Sequence, residues 1–293
     1  MKSTNKLINL LLFFIFCFNL SAVKVSEIEG TKRLSNYNEI KNIEVERVVD
    51  YDDYNRDKKI NKVFVNGENK PFSGLGLRKK SGKIMSFTIY KDGIAQGVSH
   101  SYDINGRVIG TRINKDDQLV KAKFLHKDGT GMYHIYEQIE GDYGIKTNYY
   151  PNNKIAAKMN VKVDYGIILE YINHGETTVY EKNGNLWGIL NFKNNSAYGL
   201  PQKLFKNGKL KYEFISAAEV GEKLEAMTYF KEYFDKSDKL KLDCDEVSSG
   251  EWHCKEYKKD GTLKNEFTSP TYKPKKDNSF WINAFLGIWN MLF

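Results

Sequence analysis

A short pattern, written again and again along this 293-residue chain, limits its fold more than any other feature. An aromatic or aliphatic residue leads through polar residues to Asn-Gly or Asp-Gly, and another apolar residue stands two positions after the glycine. The clearest copies are "SYDINGRVIG" (from Ser101), "VYEKNGNLWG" (from Val179), "LFKNGKLKYE" (from Leu204) and "EYKKDGTLKN" (from Glu256). Asn-Gly and Asp-Gly between apolar residues are a strong signal of a β-hairpin.

The pattern recurs at a fixed interval. We call the glycine, or the residue that replaces it, the closing residue of the turn. Gly82, Gly106 and Gly129 lie 24 and 23 residues apart, and Gly184 and Gly208 lie 24 apart. Two closing residues are not glycine but keep the same spacing. Asp117 lies 24 residues after Gly93, and Asn153 lies 24 residues after Gly129. A fixed period of this size indicates a repeat array.

The residues around each turn predict its geometry. The residue four before the closing residue is apolar or aromatic except at the turn of Gly82, and the residue two after it is apolar except at the turn of Gly129. These two positions face each other if the turn holds three residues, a type I turn followed by a left-handed residue. Glycine adopts that conformation without strain, and Asn and Asp tolerate it best among the others. We therefore predict turn glycines at Gly82, Gly93, Gly106, Gly129, Gly184, Gly208, Gly250 and Gly261.

These turns predict an all-β fold, an elongated antiparallel sheet of consecutive β-hairpins with about 24 residues per repeat. A helical fold is disfavoured because each glycine inside a helix costs about 1 kcal/mol. Residues 216–236 are ambiguous, and we expect a helical turn or two at 217–226 followed by a strand. The register of the repeats also slips between Asn153 and Gly184, which leaves the number of copies open.

The recurring phrases resemble the bacterial variant of the MORN repeat over residues 60–270. The resemblance is carried by "VNGENKPFSGLGLRKKSGKIMSFTIYKDG" (from Val65), "SYDINGRVIG", "NYYPNNKIAAK" (from Asn148) and "LFKNGKLKYE". Proteins of this family are often named as YwqK-type antitoxins of toxin-antitoxin systems. The resemblance implies a sheet of hairpins used for binding. The sequence departs from the family pattern at Asp117, Asn153 and Ser237.

The N-terminus reads as a secretory signal peptide, residues 1–22. Two lysines precede an apolar run from Leu10 to Phe18, and small residues allow a cut after Ala22. We therefore expect an exported protein, in the periplasm, at the cell surface or secreted. Residues 23–60 then form a charged, polar segment that leads to a first strand around Lys62–Val65. The hairpin repeat domain is expected to cover residues 61–272.

The C-terminal residues 273–293 combine a basic linker with an apolar tail, "FWINAFLGIWNMLF". We expect a short helix, either docked on the sheet or in peripheral contact with a membrane, because fourteen residues are too few to span a bilayer. A third alternative is a hydrophobic tag for a partner protein. The residues proposed for membrane or partner contact are Phe280, Trp281, Phe285 and Trp289.

Two cysteines near the C-terminus test the hairpin geometry. If Gly250 closes a three-residue turn, then Val247 faces Glu251, Glu246 faces Trp252, and Cys244 faces Cys254. Directly opposed residues are close enough for a disulfide, and an oxidising compartment would preserve it. Reduced thiols remain an alternative, as does a zinc site with His253, although no fourth ligand stands nearby.

Catalytic motifs are absent from the sequence, and no cofactor or metal site is predicted. Single histidines and the acidic run around Asp50 and Asp57 favour structural roles over catalysis or calcium binding. The net charge of +8 is distributed over the turns, so no nucleic-acid surface is expected. We predict a non-catalytic binding or scaffold protein of the bacterial cell envelope with a protein partner. The alternative is an antitoxin-like component of a toxin-antitoxin system. We expect four tyrosines to contribute either to partner contact or to the core: Tyr133, Tyr149, Tyr150 and Tyr180.

Overall fold

A computed structural model describes residues 22–57, 59–126, 131–165, 169–197, 201–216, 227–248 and 251–269. The chain is 66% strand and 6% helix, with 17 consecutive, mostly antiparallel strands. This confirms the predicted all-β fold of consecutive hairpins. The predicted signal peptide up to Ser21, the predicted helical turns at 217–226 and the C-terminal tail lie outside the described residues. The chain divides into two compact units, residues 1–120 and 121–293.

Unit 1 contains short N-terminal elements and a set of longer strands. Its only α-helix among the described residues is α1 (Tyr37–Ile40), and single 3-10 turns occur at Val25–Glu27, Thr31–Arg33 and Tyr51–Asp53. Its strands are β1 (Val23–Lys24), β2 (Glu44–Val45), β3 (Val48–Asp50), β4 (Tyr54–Asp57), β5 (Lys62–Val65), β6 (Gly74–Lys80), β7 (Lys83–Lys91), β8 (Ile94–Tyr102) and β9 (Val108–Lys115). β6 to β9 pair antiparallel in chain order, and β3 pairs parallel with β6.

The N-terminal segment is not the polar lead-in that the sequence predicted. The predicted strand at Lys62–Val65 exists as β5, but four strands precede it. Apolar side chains of this segment form one buried cluster with the sheet: Val25, Leu34, Ile40, Val45, Leu75, Leu77, Ile84, Phe87 and Tyr102. The Tyr102 hydroxyl also donates a 2.9 Å hydrogen bond to Asn36 Oδ1. The segment therefore covers one face of β6 to β8.

The opposite face of β6 accepts an aromatic side chain from β4. A Cβ on Gly76 would lie 2.8 Å from the Tyr54 hydroxyl oxygen, closer than real Cβ atoms come. Tyr54 in turn contacts the rings of Phe72 and Tyr90, at centroid distances of 5.9 and 5.7 Å. The second glycine in "SGLGLRK", Gly76, is thus explained by close packing.

Unit 2 continues the hairpins from the second half of β10 onward. Its strands are β10 (Gln118–Leu125), β11 (Met132–Glu140), β12 (Tyr143–Tyr149), β13 (Ile155–Tyr165), β14 (Leu169–Tyr180), β15 (Leu186–Lys193), β16 (Ser196–Ala197), β17 (Gln202–Lys206), β18 (Lys209–Ser216), β19 (Met227–Tyr233), β20 (Leu240–Ser248), β21 (Glu251–Tyr257) and β22 (Leu263–Ser269). Consecutive strands in this series pair antiparallel, except that β16 and β17 both pair with β15.

Three-residue turns occur where the sequence predicted them at Gly106, Asn153, Gly184 and Gly261. At Gly106 the amide of Asp103 donates to Arg107 O and the amide of Gly106 donates to Asp103 O, at 2.9 and 3.0 Å. Equivalent bonds close the other three turns. The predicted apolar pairs at their bases follow, as in Tyr102 opposite Val108.

The three-residue prediction is wrong at Gly82, Gly93, Asp117 and Gly208. Here two residues join the strands, and both have positive φ, as at Asn207 (53°) and Gly208 (74°). Leu210 therefore faces Phe205 instead of the predicted Leu204, and Ala95 faces Tyr90 instead of Ile89. Two left-handed residues define the type I′ turn, whose twist matches that of the flanking strands. Gly129 and Gly250 lie outside the described residues.

Closing residues other than glycine bind a neighbouring hairpin. Asn153 Oδ1 accepts a 2.9 Å hydrogen bond from the amide of Met132, and Asn195 Oδ1 accepts a 2.6 Å bond from the amide of Asn173. Asp117 Oδ1 accepts a 3.2 Å bond from the amide of Ala95. Each donor precedes its acceptor by 21 or 22 residues. The side chain therefore links one turn to the preceding hairpin, which glycine could not do.

Two long strands explain the slip in register after Asn153. β13 and β14 contain 11 and 12 residues, more than any other described strand. A bulge at Gly175 adds to this length, because the pairing shifts between Met159 and Val161. The sequence reading also missed the turns at Gly141 and Asn195, although Gly141 lies 24 residues after Asp117.

A row of alternating charges crosses the last six strands from β17 to β22. The directly opposed residues are Lys203, Glu213, Lys231, Asp243, Lys255 and Glu266. Ion pairs join Lys203 to Glu213 at 3.7 Å and Lys231 to Asp243 at 3.4 Å. Opposite charges across strands stabilise one register, and a slip by one residue would break the whole row.

Candidate binding groove

Cys244 and Cys254 form a disulfide between β20 and β21. They are directly opposed, with their Cα atoms 4.1 Å apart, and both are fully buried. Glu246 faces Trp252, as the sequence predicted. The predicted pair of Val247 with Glu251 is wrong, because the register shifts there and Ser248 faces Glu251.

Several predicted contact residues lie outside the described part of the chain, namely Phe280, Trp281, Phe285 and Trp289. Among the described residues, no group of His, Cys, Asp and Glu could hold a metal ion, and no helix is long and apolar enough to cross a membrane. The predicted tyrosines are placed differently from one another. Tyr133 is 41% exposed, whereas the Tyr150 hydroxyl donates a 2.8 Å hydrogen bond to Tyr180 O.

A groove of about 640 Å³ lies beside the turn that joins β11 to β12. Its walls are Ile139 to Gly144 of that turn, Asn160 and Val161 of β13, and His174 of β14. We call it the β11–β12 groove. Gly141, with φ of 52°, reverses the chain there, and Asp142 O accepts a 2.8 Å bond from the amide of Val163. The turn is thereby fixed to the neighbouring long hairpin.

Apolar and aromatic side chains at this groove face solvent. Ile139 is 66% exposed and Tyr143 is 45% exposed. The Tyr143 ring packs edge-on against His174, with centroids 5.6 Å apart. His174 Nδ1 lies 3.2 Å from Asn194 Oδ1, so the imidazole is held in place. Exposed large apolar residues beside a concave surface are typical of a binding site.

The charge of the groove is negative. Glu140 and Asp142 line it, and among the described residues neither side chain has an ion-pair or hydrogen-bond partner. On the adjacent hairpin, Asp164 lies directly opposite Glu170, and the described residues offer these two carboxylates no partner either. Like charges directly opposed destabilise a sheet. This end of unit 2 therefore carries four carboxylates, with one lysine close by, since Lys162 lies directly opposite Tyr143.

Beneath the groove, the buried face of the sheet carries a lysine. Tyr136, Lys146, Met159 and Thr177 are opposed in one row across β11 to β14. Tyr136, Met159 and Thr177 are at most 1% exposed. Lys146 Nζ lies 4.8 Å from the centroid of the Tyr171 ring. Burial lowers the pKa of Lys146 to about 8, and no described carboxylate opposes that shift.

Sequence reasoning missed both features. The groove residues stand at a turn that was not recognised, although the spacing from Asp117 to Gly141 would have revealed it. Lys146 occupies an inward position of β12, and the alternation of "YGIKTNYY" shows this once the strand's register is known. No sequence signal indicates that the β14 residue Tyr171 reaches Lys146, two strands away.

Comparisons with known proteins identify no family. No family model matches the chain, and no curated protein does. A solved structure of the Photorhabdus luminescens Tc holotoxin pore matches 71% of this chain and 13% of that chain. The sequences are 13% identical and the TM-score is 0.17. A similarity at this level carries no argument about fold or function.

Proposed function

We propose that this chain is an exported, non-catalytic β-repeat protein of the bacterial cell envelope that acts by binding a protein partner. The observation that carries the proposal is the buried disulfide between Cys244 and Cys254. Disulfides persist in oxidising compartments and are rare in the bacterial cytoplasm. The apolar run before Ala22 supports the same location.

Binding is supported by the β11–β12 groove. It combines a concave surface with exposed Ile139 and Tyr143 and with the carboxylates of Glu140 and Asp142. Its volume of about 640 Å³ lies within the range of about 300 to 1,000 Å³ that is usual for binding clefts. The hairpins of unit 2 place this surface on a rigid scaffold, since neighbouring strands pair throughout the described region.

Cell fractionation with measurement of the N-terminus tests the location. The chain is expressed at its native level, fractions are probed with an antibody, and the N-terminal peptide is identified by mass spectrometry. We expect recovery outside the cytoplasm with an N-terminus at Val23. Cytosolic recovery of the full-length chain would contradict the proposal, and neutralisation of a co-expressed toxin by that chain would favour the antitoxin-like alternative.

A further inference from the structure

The face of β18 to β22 that lies opposite the row of alternating charges is apolar. One row of directly opposed residues crosses these five strands on that face: Phe214, Phe230, Cys244, Cys254 and Phe267. Leu242 and Trp252 each stand two positions before a cysteine and therefore share its face. We call the surface formed by these residues the disulfide face.

The disulfide face is covered, whereas the charged face is open to solvent. Phe230 is 1% exposed, Trp252 is 6% exposed, and both cysteines are fully buried. On the charged face, the side chains of Lys255 and Glu266 are 45% and 44% exposed. The two faces of the same strands therefore differ in what lies over them.

Among the described residues of unit 2 there is no helix that could cover this face, because every described element of the unit is a strand. Contacts within the face act from the side, as between the rings of Tyr212 and Phe230, whose centroids are 5.9 Å apart. A sheet buries the apolar side chains of one face by packing that face against another element. The part of the chain that begins beside this face, after β22, is the candidate for that element.

The apolar C-terminal tail, Phe280 to Phe293, starts within reach of the disulfide face. β22 ends at Ser269, which lies directly opposite Trp252, and Pro270 cannot donate a bond that would continue the strand's ladder. Ten residues then precede Phe280, and an extended segment of that length spans about 33 Å. The distance from β22 to β19 is only about 14 Å, and a helix of fourteen residues is about 21 Å long. The tail can therefore lie across these strands.

The sequence of the tail suits a helix that docks through one side. Asn283, Gly287 and Asn290 follow one another at intervals of four and three residues, so they share one stripe of a helix. The opposite stripe is apolar and consists of Trp281, Phe285, Ile288 and Leu292. Such a helix can bury this stripe on an apolar sheet face while its two asparagines point to solvent.

We propose that the tail, Phe280 to Phe293, docks as a helix on the disulfide face. This goes beyond the proposed function, because it assigns the tail a site within its own chain instead of on a membrane or an external partner. Repeat arrays need terminal units with a polar outer face to stay soluble, and the docked helix gives the last hairpins such a cover. It also shields the disulfide between Cys244 and Cys254 from thiols in solution.

Photo-crosslinking in the full-length, oxidised protein tests this docking. p-Benzoylphenylalanine replaces Phe267 on the disulfide face, and a second protein carries it in place of Glu266 on the charged face. The two positions are adjacent in β22, so they are almost equally close to the tail along the chain. After irradiation and digestion of the monomer, we expect position 267 to crosslink within Phe280 to Phe293. Position 266 should give no such product.

Two matched charge variants test which side of the tail docks. Phe285→Glu places a carboxylate in the apolar stripe, and Asn283→Glu places one in the polar stripe. Because burial of an unpaired carboxylate is costly, Phe285→Glu should reduce the crosslink from position 267 about tenfold. It should also speed reduction of the disulfide by dithiothreitol about tenfold, since the shield is lost. Asn283→Glu should change either quantity by less than about twofold.

The assignment is overturned if position 267 gives no crosslink, or crosslinks only to residues outside the tail or to a second molecule. It is equally overturned if Phe285→Glu crosslinks and resists dithiothreitol as the parent does. The crosslink of the parent decides the assignment even if a variant fails to fold. Because the disulfide can be formed in purified protein, these outcomes do not depend on where the protein resides, and they are separable from the test of the proposed function.

Discussion

Gly144 and Gly188 both lie on the buried face of unit 2, in β12 and β15, but their surroundings differ. A Cβ on Gly144 would lie 2.5 Å from Glu137 O and from Tyr136 Cε2. At Gly188 the nearest atoms would be 3.4 Å away. Neither glycine is among the residues with positive φ, so neither has a left-handed backbone. Space, and not backbone conformation, therefore distinguishes the two positions.

We predict that Gly144→Ala lowers the free energy of unfolding by about 2 kcal/mol, because backbone and a buried ring must move to accept the methyl group. Gly188→Ala is the matched control and should change it by less than about 1 kcal/mol in either direction. Urea denaturation followed by circular dichroism measures both. Equal losses in the two variants would contradict the packing explanation.

Lys146 gives a pH-dependent prediction. Its pKa in the folded chain is lowered to about 8 by burial, so below pH 8 the folded state must keep a charge that it solvates poorly. The unfolded chain binds this proton up to its ordinary pKa, and the folded state therefore gains relative stability as pH rises from 8 toward that value. Lys146→Met, which keeps the side chain's length against Tyr171, removes this penalty.

We expect Lys146→Met to stabilise the chain at pH 7 by about 2 to 3 kcal/mol, a gain that disappears above about pH 10. Urea midpoints of variant and parent, measured between pH 6 and pH 10.5, give the difference directly. A gain independent of pH would indicate that lost charge burial is not its cause.

Sequence alone predicted the chemistry at some positions and not at others. The left-handed closing residues Gly106 and Gly184 and the opposed cysteines follow from local spacing, which a linear pattern records. The contacts of Lys146 with Tyr171 and of Gly144 with Tyr136 join residues whose proximity depends on how several strands are placed. No local pattern contains that information.

At the level of secondary-structure elements, the local sequence likewise predicted some features of the turns and not others. The letters Asn-Gly close a three-residue turn at Gly106 and a two-residue turn at Gly208. In the longer turns, the side chain of the residue before the closing residue often accepts a hydrogen bond from the amide of the residue after the closing residue. Asn183 Oδ1, for example, accepts a 2.7 Å bond from the amide of Asn185. The dipeptide thus predicted that a turn occurs, while its length and register depend on side-chain contacts.

Asn153 gives a test of turns that link hairpins. We predict that Asn153→Gly destabilises the protein by about 1 kcal/mol, since relief of the left-handed backbone is outweighed by loss of the bond to the Met132 amide. Asn207→Gly is the control, because Asn207 is left-handed without a described side-chain bond, and it should be neutral or stabilising. Thermal denaturation compares them, and stabilisation by Asn153→Gly would refute the linking role.

The charge row from Lys203 to Glu266 gives a second test. Lys231→Glu would place three acids side by side at positions 213, 231 and 243, and we expect the free energy of unfolding to fall by about 1 to 2 kcal/mol. Lys231→Gln should cost about half as much. The difference between these variants should shrink in 1 M NaCl because salt screens exposed charges. Equal, salt-independent losses would show that the row contributes packing only.

For the whole molecule, the repeat period predicted an all-β chain of hairpins, because each turn carries its own local signal. The fold of residues 22–57 was not predicted, since Val25, Leu34, Ile40 and Val45 follow neither a helical nor a strand period. Their positions are set by the sheet face that they cover. The groove was likewise hidden, because β11, β13 and β14 contribute to it from distant parts of the chain.

The proposed export and the disulfide make one linked prediction about the state of the two cysteines. In an oxidising compartment, Cys244 and Cys254 are paired, and the disulfide fixes the register of the hairpin that β20 and β21 form. In a reducing compartment, both thiols would be free, although burial would still protect them from solvent. The redox state of these two residues in living cells therefore reports on the compartment directly.

The most direct test is the intact mass of the protein from cells treated with a membrane-permeable alkylating reagent, denatured in its presence without a reductant. The account predicts a chain of residues 23–293 that is two hydrogens lighter than its sequence and carries no alkyl group, and that takes up two groups only after reduction. A chain that retains its N-terminus and is already alkylated at Cys244 and Cys254 would contradict it.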